Sequence, residues 1–301
     1  MIRRPVKKLA TTTSPVASVT AGGDISTAWE SLGIQQGFQP LPLSRARFLV
    51  GGFVKDGKST LQASRPRTLI LDFEDAIRNV RGAKAHYIPI VSWNSLQKVL
   101  EQLKVQAQRG QRDFDHVVVD TLDRYADLEC DKICEEEKKA VINEVYGGKG
   151  GYSLWQKRVA GFFREIYRMG YGWTAVSHLK WANGTDDKGK EIQFIRHGPI
   201  PSLINALQQD ADYLCQIGTE VVNEEQTDPR NPKMKVRVPK RRVILTTREG
   251  QTRAYNAEVG SRVPLSEFLE IPLHDGWSVV EADWERAAAE CKAEDEELRG
   301  V

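Results

Sequence analysis

Eight residues constrain this chain more than any other stretch: Gly52-Phe-Val-Lys-Asp-Gly57-Lys58-Ser59. Their spacing, G-x-x-x-x-G-K-[ST], is that of a strand breaking into a tight glycine turn and leaving through a helix N-terminus. Glycine lets the backbone curl until several N–H groups point at phosphate oxygens. A helix starting near Lys58 adds its positive end. Lys58 reaches the β- and γ-phosphates, and the Ser59 hydroxyl is a hard oxygen donor suited to Mg²⁺. The flanks agree, with apolar Phe48–Val50 before and Thr60–Ala63 after. Gly52, Phe53, Val54, Lys55, Asp56, Gly57, Lys58, Ser59 and Thr60 are therefore the candidate cradle for ATP with Mg²⁺. A second glycine cluster, Gly147–Gly151, has no strand before it and no Lys-Ser ending, and is read as a loop.

Around this motif, apolar runs alternate with helix-like stretches from Arg45 onward. Leu69–Leu71 and Val117–Val119 show no polar alternation, the mark of parallel strands covered on both faces. Strand and helix in turn imply an α/β fold, a mostly parallel sheet flanked by helices. Ala211–Val222 and Lys233–Thr247 read as two strands joined by the polar NEEQTDPRNP, an antiparallel hairpin at the C-terminal edge. Residues 1–40 are expected to be a flexible leader with a short helix near Thr27–Leu32, 41–279 the domain, and 280–301 an acidic helical tail. Val280–Val301 carries eight acidic against three basic side chains.

Phe114–Val119 ends in Asp120, a carboxylate at the edge where the phosphate loop lies, placed to support Mg²⁺. The competing reading is an aspartate capping a turn. Thr121 follows, where many ATPases have the acid that activates water. The best substitute is Glu74, at the end of Leu69-Ile-Leu-Asp72-Phe73-Glu74, positioned to deprotonate water. Asp72, Asp75 and Asp123 are rivals, and a solvated loop acid is the plain alternative. Trp173–Val176 leads to Ser177 and His178, whose side chain can touch a γ-phosphate or simply bond locally.

Together FLVGGFVKDGKST, TLILDFEDA, FDHVVVDTLD and the stretch from Tyr146 to Lys180 resemble the RecA-like P-loop ATPases, most of all phage-encoded RecA-core proteins of single-strand annealing and recombination. The likeness spans roughly residues 44–272. It implies a RecA-like P-loop NTPase core, with Glu74 in the catalytic glutamate position, Lys58 on the phosphates and His178 where recombinases have a γ-phosphate-sensing glutamine. It also implies that Lys180–Gln193 is a DNA-contacting loop. Lys180, Trp181, Lys188 and Lys190 there suit single-stranded DNA, with lysines on phosphates and an aromatic under a base. Further implications are a homo-oligomer, ring or filament, and a single-strand-binding or recombination partner. The expected activity is DNA-stimulated ATP hydrolysis. A nucleotide-gated interaction protein and a DNA-translocating motor or helicase are the alternatives.

Lys233, Lys235 and Arg237 alternate with apolar residues, as on a phosphate-contacting strand or on a solvated edge strand that resists aggregation. Arg253 and Arg262 are candidate fingers for a neighbouring site. Trp155, Phe162, Phe163 and Ile166 fall at helical spacing and belong in a core. The composition balances 43 Lys and Arg against 41 Asp and Glu, which argues against coating nucleic acid by bulk charge. No apolar run approaches the ~20 residues of a membrane helix. Four scattered cysteines suit a reducing compartment, so the expected location is the cytoplasm, the host's if a phage encodes the chain.

Overall fold

The computed structural model describes residues 39–147, 149–185, 191–199, 201–228, 231–246, 263–272 and 275–299, with the backbone alone for 192, 194 and 220–246. In chain order the elements are β1 (Arg47–Gly52), α1 (Lys58–Ala63), β2 (Thr68–Asp72), β3 (His86–Pro89), α2 (Trp93–Gln108), β4 (His116–Asp120) and α3 (Leu122–Glu136). They continue with α4 (Lys149–Arg168), β5 (Gly172–Thr185), β6 (Glu191–His197), α5 (Pro201–Asp210), β7 (Tyr213–Asp228), β8 (Asn231–Thr246), β9 (Phe268–Ile271) and α6 (Gly276–Arg299).

The sheet runs β3-β2-β4-β5-β1-β7-β8-β9, and β6 pairs with β5 alone. From β3 to β7 every pairing is parallel, while β8, β9 and β6 join antiparallel. The α/β class expected from the unalternated strands is what the chain adopts. Leu69, Leu71, Val117 and Val119 face one way, onto Leu96 and Leu103 of α2, Leu122 and Tyr125 of α3, Val159 and Phe163 of α4 and Leu203 of α5. Ile70, Val118 and Val176 face the other way, onto Ala63 and Ile77. Each such Val, Leu or Ile, fully buried, contributes about 1.5–3 kcal/mol, and between Thr68 and Asp72 in β2 and between His116 and Asp120 in β4 both faces carry apolar residues only. Trp155, Phe162, Phe163 and Ile166 all lie in the first of these cores, and the Trp155 indole N–H donates to the Ala126 carbonyl at 2.7 Å.

Four local readings need correction. Asn223–Asp228, turn-like in composition, continue β7, and the ladder with β8 runs on to Asp228 opposite Asn231. Ladder bonds come from the backbone, so a polar run can extend a strand once its partner is in register. Gly150 and Gly151 begin α4 instead of lying in a loop. A Cβ on Gly151 would lie 2.3 Å from the Ile142 carbonyl, so glycine lets the helix start against the preceding turn. Lys180–Gln193, expected as a loop, is largely hairpin: Leu179–Thr185 pairs with Glu191–His197. Finally, the acidic segment from 280 belongs to α6, which starts at Gly276 and buries Trp277 and Val280 against Phe48, Val50 and Leu61.

The leader with its helix near Thr27–Leu32, and Lys188, Lys190, Arg253 and Arg262, lie outside the described residues. Among the described residues no helix is long and apolar enough to cross a membrane.

Candidate functional site

Parallel register brings the chemistry-bearing residues to one edge. Gly52 sits opposite His178, Asp120 opposite Asp72, and Gly51 opposite Ser177. Gly51, Gly52, Asp72 and Asp120 end their strands, and Ser177 and His178 stand where β5 makes its last parallel pairs with β1 before running on into the hairpin with β6.

The phosphate loop springs from Gly51 and Gly52. A Cβ on Gly52 would lie 2.6 Å from Ile217 Cγ2 and 2.9 Å from the Ile217 carbonyl oxygen, so only glycine lets β1 pass β7 here. Gly57, at φ 92, makes the left-handed step into α1. Asp56 holds the turn from inside: its Oδ2 accepts the Phe53 N–H at 3.0 Å and its Oδ1 the Thr219 hydroxyl at 3.3 Å. Lys58 is buried, and its Nζ donates to the carbonyls of Gly52 at 2.8 Å and Phe53 at 2.7 Å. Burial lowers its pKa, while Asp120, Asp56, Glu74 and Asp123 act in the opposite sense. Val54 and Lys55 are exposed at the loop's tip.

Asp120 is 2% exposed. Burial pushes its pKa up to about 6, against the Ser59 hydroxyl, which hydrogen-bonds it, and with the nearby charges of Asp72 and Glu74. Its Oδ2 is buried with no hydrogen-bond partner. An orphaned carboxylate oxygen beside a hydroxyl is a pair of hard donors, and it fits Mg²⁺.

The three rivals of Glu74 are occupied otherwise. Asp72 is buried and accepts the N–H groups of Glu74 (3.1 Å), Ala76 (3.2 Å) and Ile77 (2.9 Å), so it shapes the loop. Asp75 pairs with Arg78 at 3.0 Å. Asp123 accepts the His178 backbone N–H at 3.0 Å and lies 4.0 Å from His178 Nδ1. The Glu74 side chain, 30% exposed, faces the site: its Oε1 accepts the Thr121 hydroxyl at 3.1 Å and lies 3.8 Å from Arg124 Nε, and its Oε2 lies 3.9 Å from His178 Nε2. Lys58, Ser59, Asp120, Glu74 and His178 thus converge around one loop. Thr121 and Arg124 escaped the sequence reading. The available signal was that Thr121 both follows the strand-end aspartate and starts α3.

A second group adjoins the first. Leu179 and His197 face each other across the β5–β6 hairpin, and a Cβ on Gly51 would lie 2.9 Å from a side-chain carbon of each. Next along, Trp181 and Ile195 face each other, and the Trp181 ring, 62% exposed, stacks on Phe53 of the phosphate loop with centroids 5.8 Å apart. Lys180 lies opposite Arg196, one residue along and so on the hairpin's other face, and both are exposed. On β8, Lys235 is opposite Thr227 and Arg237 opposite Glu225, with Lys233 in the same strand. Cys130 and Cys134 are free, and the Cys130 thiol is pushed up to about 11 by burial and by Cys134.

Two comparisons bear on this site. The chain is similar to the SPbeta prophage-derived uncharacterized protein YorG of Bacillus subtilis (strain 168), 27% identical over 135 residues. That alignment spans 44% of this chain and 40% of that protein's length. The family described as "AAA domain" matches residues 44–256, from the strand before the phosphate loop to beyond the β7–β8 hairpin. With a phosphate loop between β1 and α1 on a largely parallel sheet, the chain belongs to the AAA domain family of P-loop ATPases.

Proposed function

We propose that the protein binds and hydrolyses ATP at this loop and acts on single-stranded DNA, in the manner of phage recombination or annealing proteins. The observation that carries the reading is the convergence of Lys58, Ser59, Asp120, Glu74 and His178 on one sheet edge. Lys58 exchanges its two loop carbonyls for phosphate oxygens, a swap favoured because the lysine is already desolvated. Ser59 and Asp120 would hold Mg²⁺, which when bound supplies positive charge to the phosphate oxygens. Glu74 takes a proton from the attacking water, and His178, 3.9 Å from it, registers the γ-phosphate.

The stacked pair Phe53–Trp181 supports a link from nucleotide to DNA. Phe53 contributes a carbonyl to Lys58 and a ring to the hairpin, so a change at the phosphates reaches Trp181 through one residue. Trp181 on one face of the hairpin and Lys180 and Arg196 on the other are proposed as the near part of the single-strand track, with the strand crossing the hairpin's edge. Lys188, Lys190, Lys233, Lys235 and Arg237 are proposed as its continuation. Glu74 and the 64%-exposed Arg124 open to the surface, where a neighbouring copy in a ring or filament would complete the site.

The test is ATP hydrolysis with and without single-stranded DNA across salt concentrations. The expected result is Mg²⁺-dependent turnover that DNA raises, with the stimulation fading steeply as salt increases. Turnover indifferent to DNA at every salt concentration overturns the DNA half of the reading. Absence of ATP uptake by calorimetry overturns all of it.

A further inference from the structure

We infer that Thr121 is a positioning residue for Glu74, holding its carboxylate toward the site through a buried hydroxyl. The inference rests on reading Glu74 as the base.

One helix cap is not used as a cap. Thr121 is the N-cap residue of α3, where a threonine side chain ordinarily accepts a backbone N–H from the first turn. Ser92 does this at α2, accepting the Ser95 N–H at 3.2 Å. The Thr121 side chain makes no such bond to its own helix. Its hydroxyl crosses to the neighbouring strand end and donates to Glu74 Oε1 at 3.1 Å.

The other contacts of Glu74 are weaker restraints. Arg124 is largely exposed and 3.8 Å away, a distance and setting in which an ion pair is screened and loosely held. His178 is 3.9 Å away. Thr121 is 2% exposed, so its hydroxyl is shielded from water that would compete for it. The backbone under Glu74 is already pinned, because Asp72 accepts its N–H and the Phe73 N–H donates to the Asp120 carbonyl at 2.7 Å. The side-chain torsions remain, and the Thr121 hydroxyl restrains them. Oε1 is spent on this bond, which leaves Oε2 to take the proton.

The test compares Thr121→Val, which keeps shape and removes the hydroxyl, with Thr121→Ser, which keeps the hydroxyl. A misplaced general base slows the chemical step without weakening nucleotide binding. Thr121→Val should lower kcat about tenfold with KM unchanged and with unaltered calorimetric affinity for a non-hydrolysable ATP analogue. Thr121→Ser should recover kcat to within about twofold, and in a Glu74→Gln background Thr121→Val should cost nothing further. If Thr121→Val does not fold, Thr121→Ala gives the same comparison. Full hydrolysis by the valine or alanine variant, or a serine variant as slow as they are, overturns the inference. If Glu74→Gln itself hydrolyses ATP normally, the base reading fails and the inference falls with it. A dead Glu74→Gln beside a normal Thr121→Val sinks the inference alone.

Discussion

The parallel half of the sheet and the two hairpins that extend it are built on different rules. In the parallel half, β1, β2, β3 and β4 are four to six residues long. Except for the edge strand β3 they are almost wholly buried, and they stop where a chemistry-bearing residue begins. In the hairpins, β5 runs 14 residues and β7 and β8 run 16 each. There the strands continue through polar residues because the ladder alone sustains them. A short buried strand fixes its end by burial, so its terminal side chain is placed to within a residue. A long hairpin held by its ladder fixes only its register. Phosphate chemistry needs the first kind of placement, and a track along a polymer suits the second.

The largest expected effects break that comparison at its chemical end. Lys58→Ala removes the cation that would face the phosphates and both bonds that close the loop on itself. ATP turnover should fall at least a thousandfold, with nucleotide affinity lost in the same calorimetric titration, on the order of 4 kcal/mol. Glu74→Gln keeps the shape and the Thr121 contact while removing the base. Hydrolysis should fall on the order of a hundredfold or more with ATP still bound. Equal loss of binding in both variants would mean that Glu74 shapes the loop instead of acting on water.

A middle-sized effect concerns stability. Burial raises the Asp120 pKa from 3.8 to about 6, so the native chain binds this proton more tightly than the unfolded chain does. The group's contribution to stability is therefore fully present below about 3.8 and is lost as pH rises through about 6. Asparagine has no such charge to bury. With chelator present, Asp120→Asn should exceed wild type in stability at pH 7.5 by on the order of 2 kcal/mol, and the gap should shrink toward pH 5. Urea unfolding at the two pH values measures it. A gap independent of pH would show that the carboxylate is compensated in the fold and that its orphaned oxygen is not a strained anion.

What could be read from the sequence follows the same division. The glycine-lysine-serine spacing and the apolar runs that lead to Asp120 and Glu74 picked out residues that the fold brings to one sheet edge, because burial and backbone curvature leave few residue types possible there. Asp72 could not be separated from Glu74 in the sequence, because both close the same apolar run; only the folded chain ends β2 at Asp72, sets Glu74 two residues beyond it and shows three N–H groups consuming Asp72. The β7–β8 hairpin was legible but not its full length, and the β5–β6 hairpin was not, because Asn223–Asp228 and Lys180–Thr185 look like turn and loop by composition, whereas pairing partners decide their state. Thr121 escaped because a cap and a cross-strand donor are the same residue in sequence. Gly198 was equally silent, yet a Cβ there would fall 1.9 Å from Asp123 Oδ1, which ties the end of the β5–β6 hairpin to the site.

The smallest expected effect sharpens the hairpin end of the comparison. Trp181 is exposed, stacked on Phe53, and carries no charge, whereas neighbouring Lys180 carries charge and no aromatic face. On a single-strand track the two should fail differently. Trp181→Ala removes one stacking surface, about 1 kcal/mol or roughly fivefold in affinity, without changing how many phosphates are neutralised. The slope of log affinity against log salt should therefore stay at its wild-type value. Lys180→Ala removes one phosphate contact and should lower that slope by about 0.7. Fluorescence anisotropy with a labelled oligonucleotide over a salt series measures both. If Trp181→Ala changes the slope, or neither variant changes affinity, the hairpin is not where DNA lies, and the Trp181 ring serves only to brace the phosphate loop.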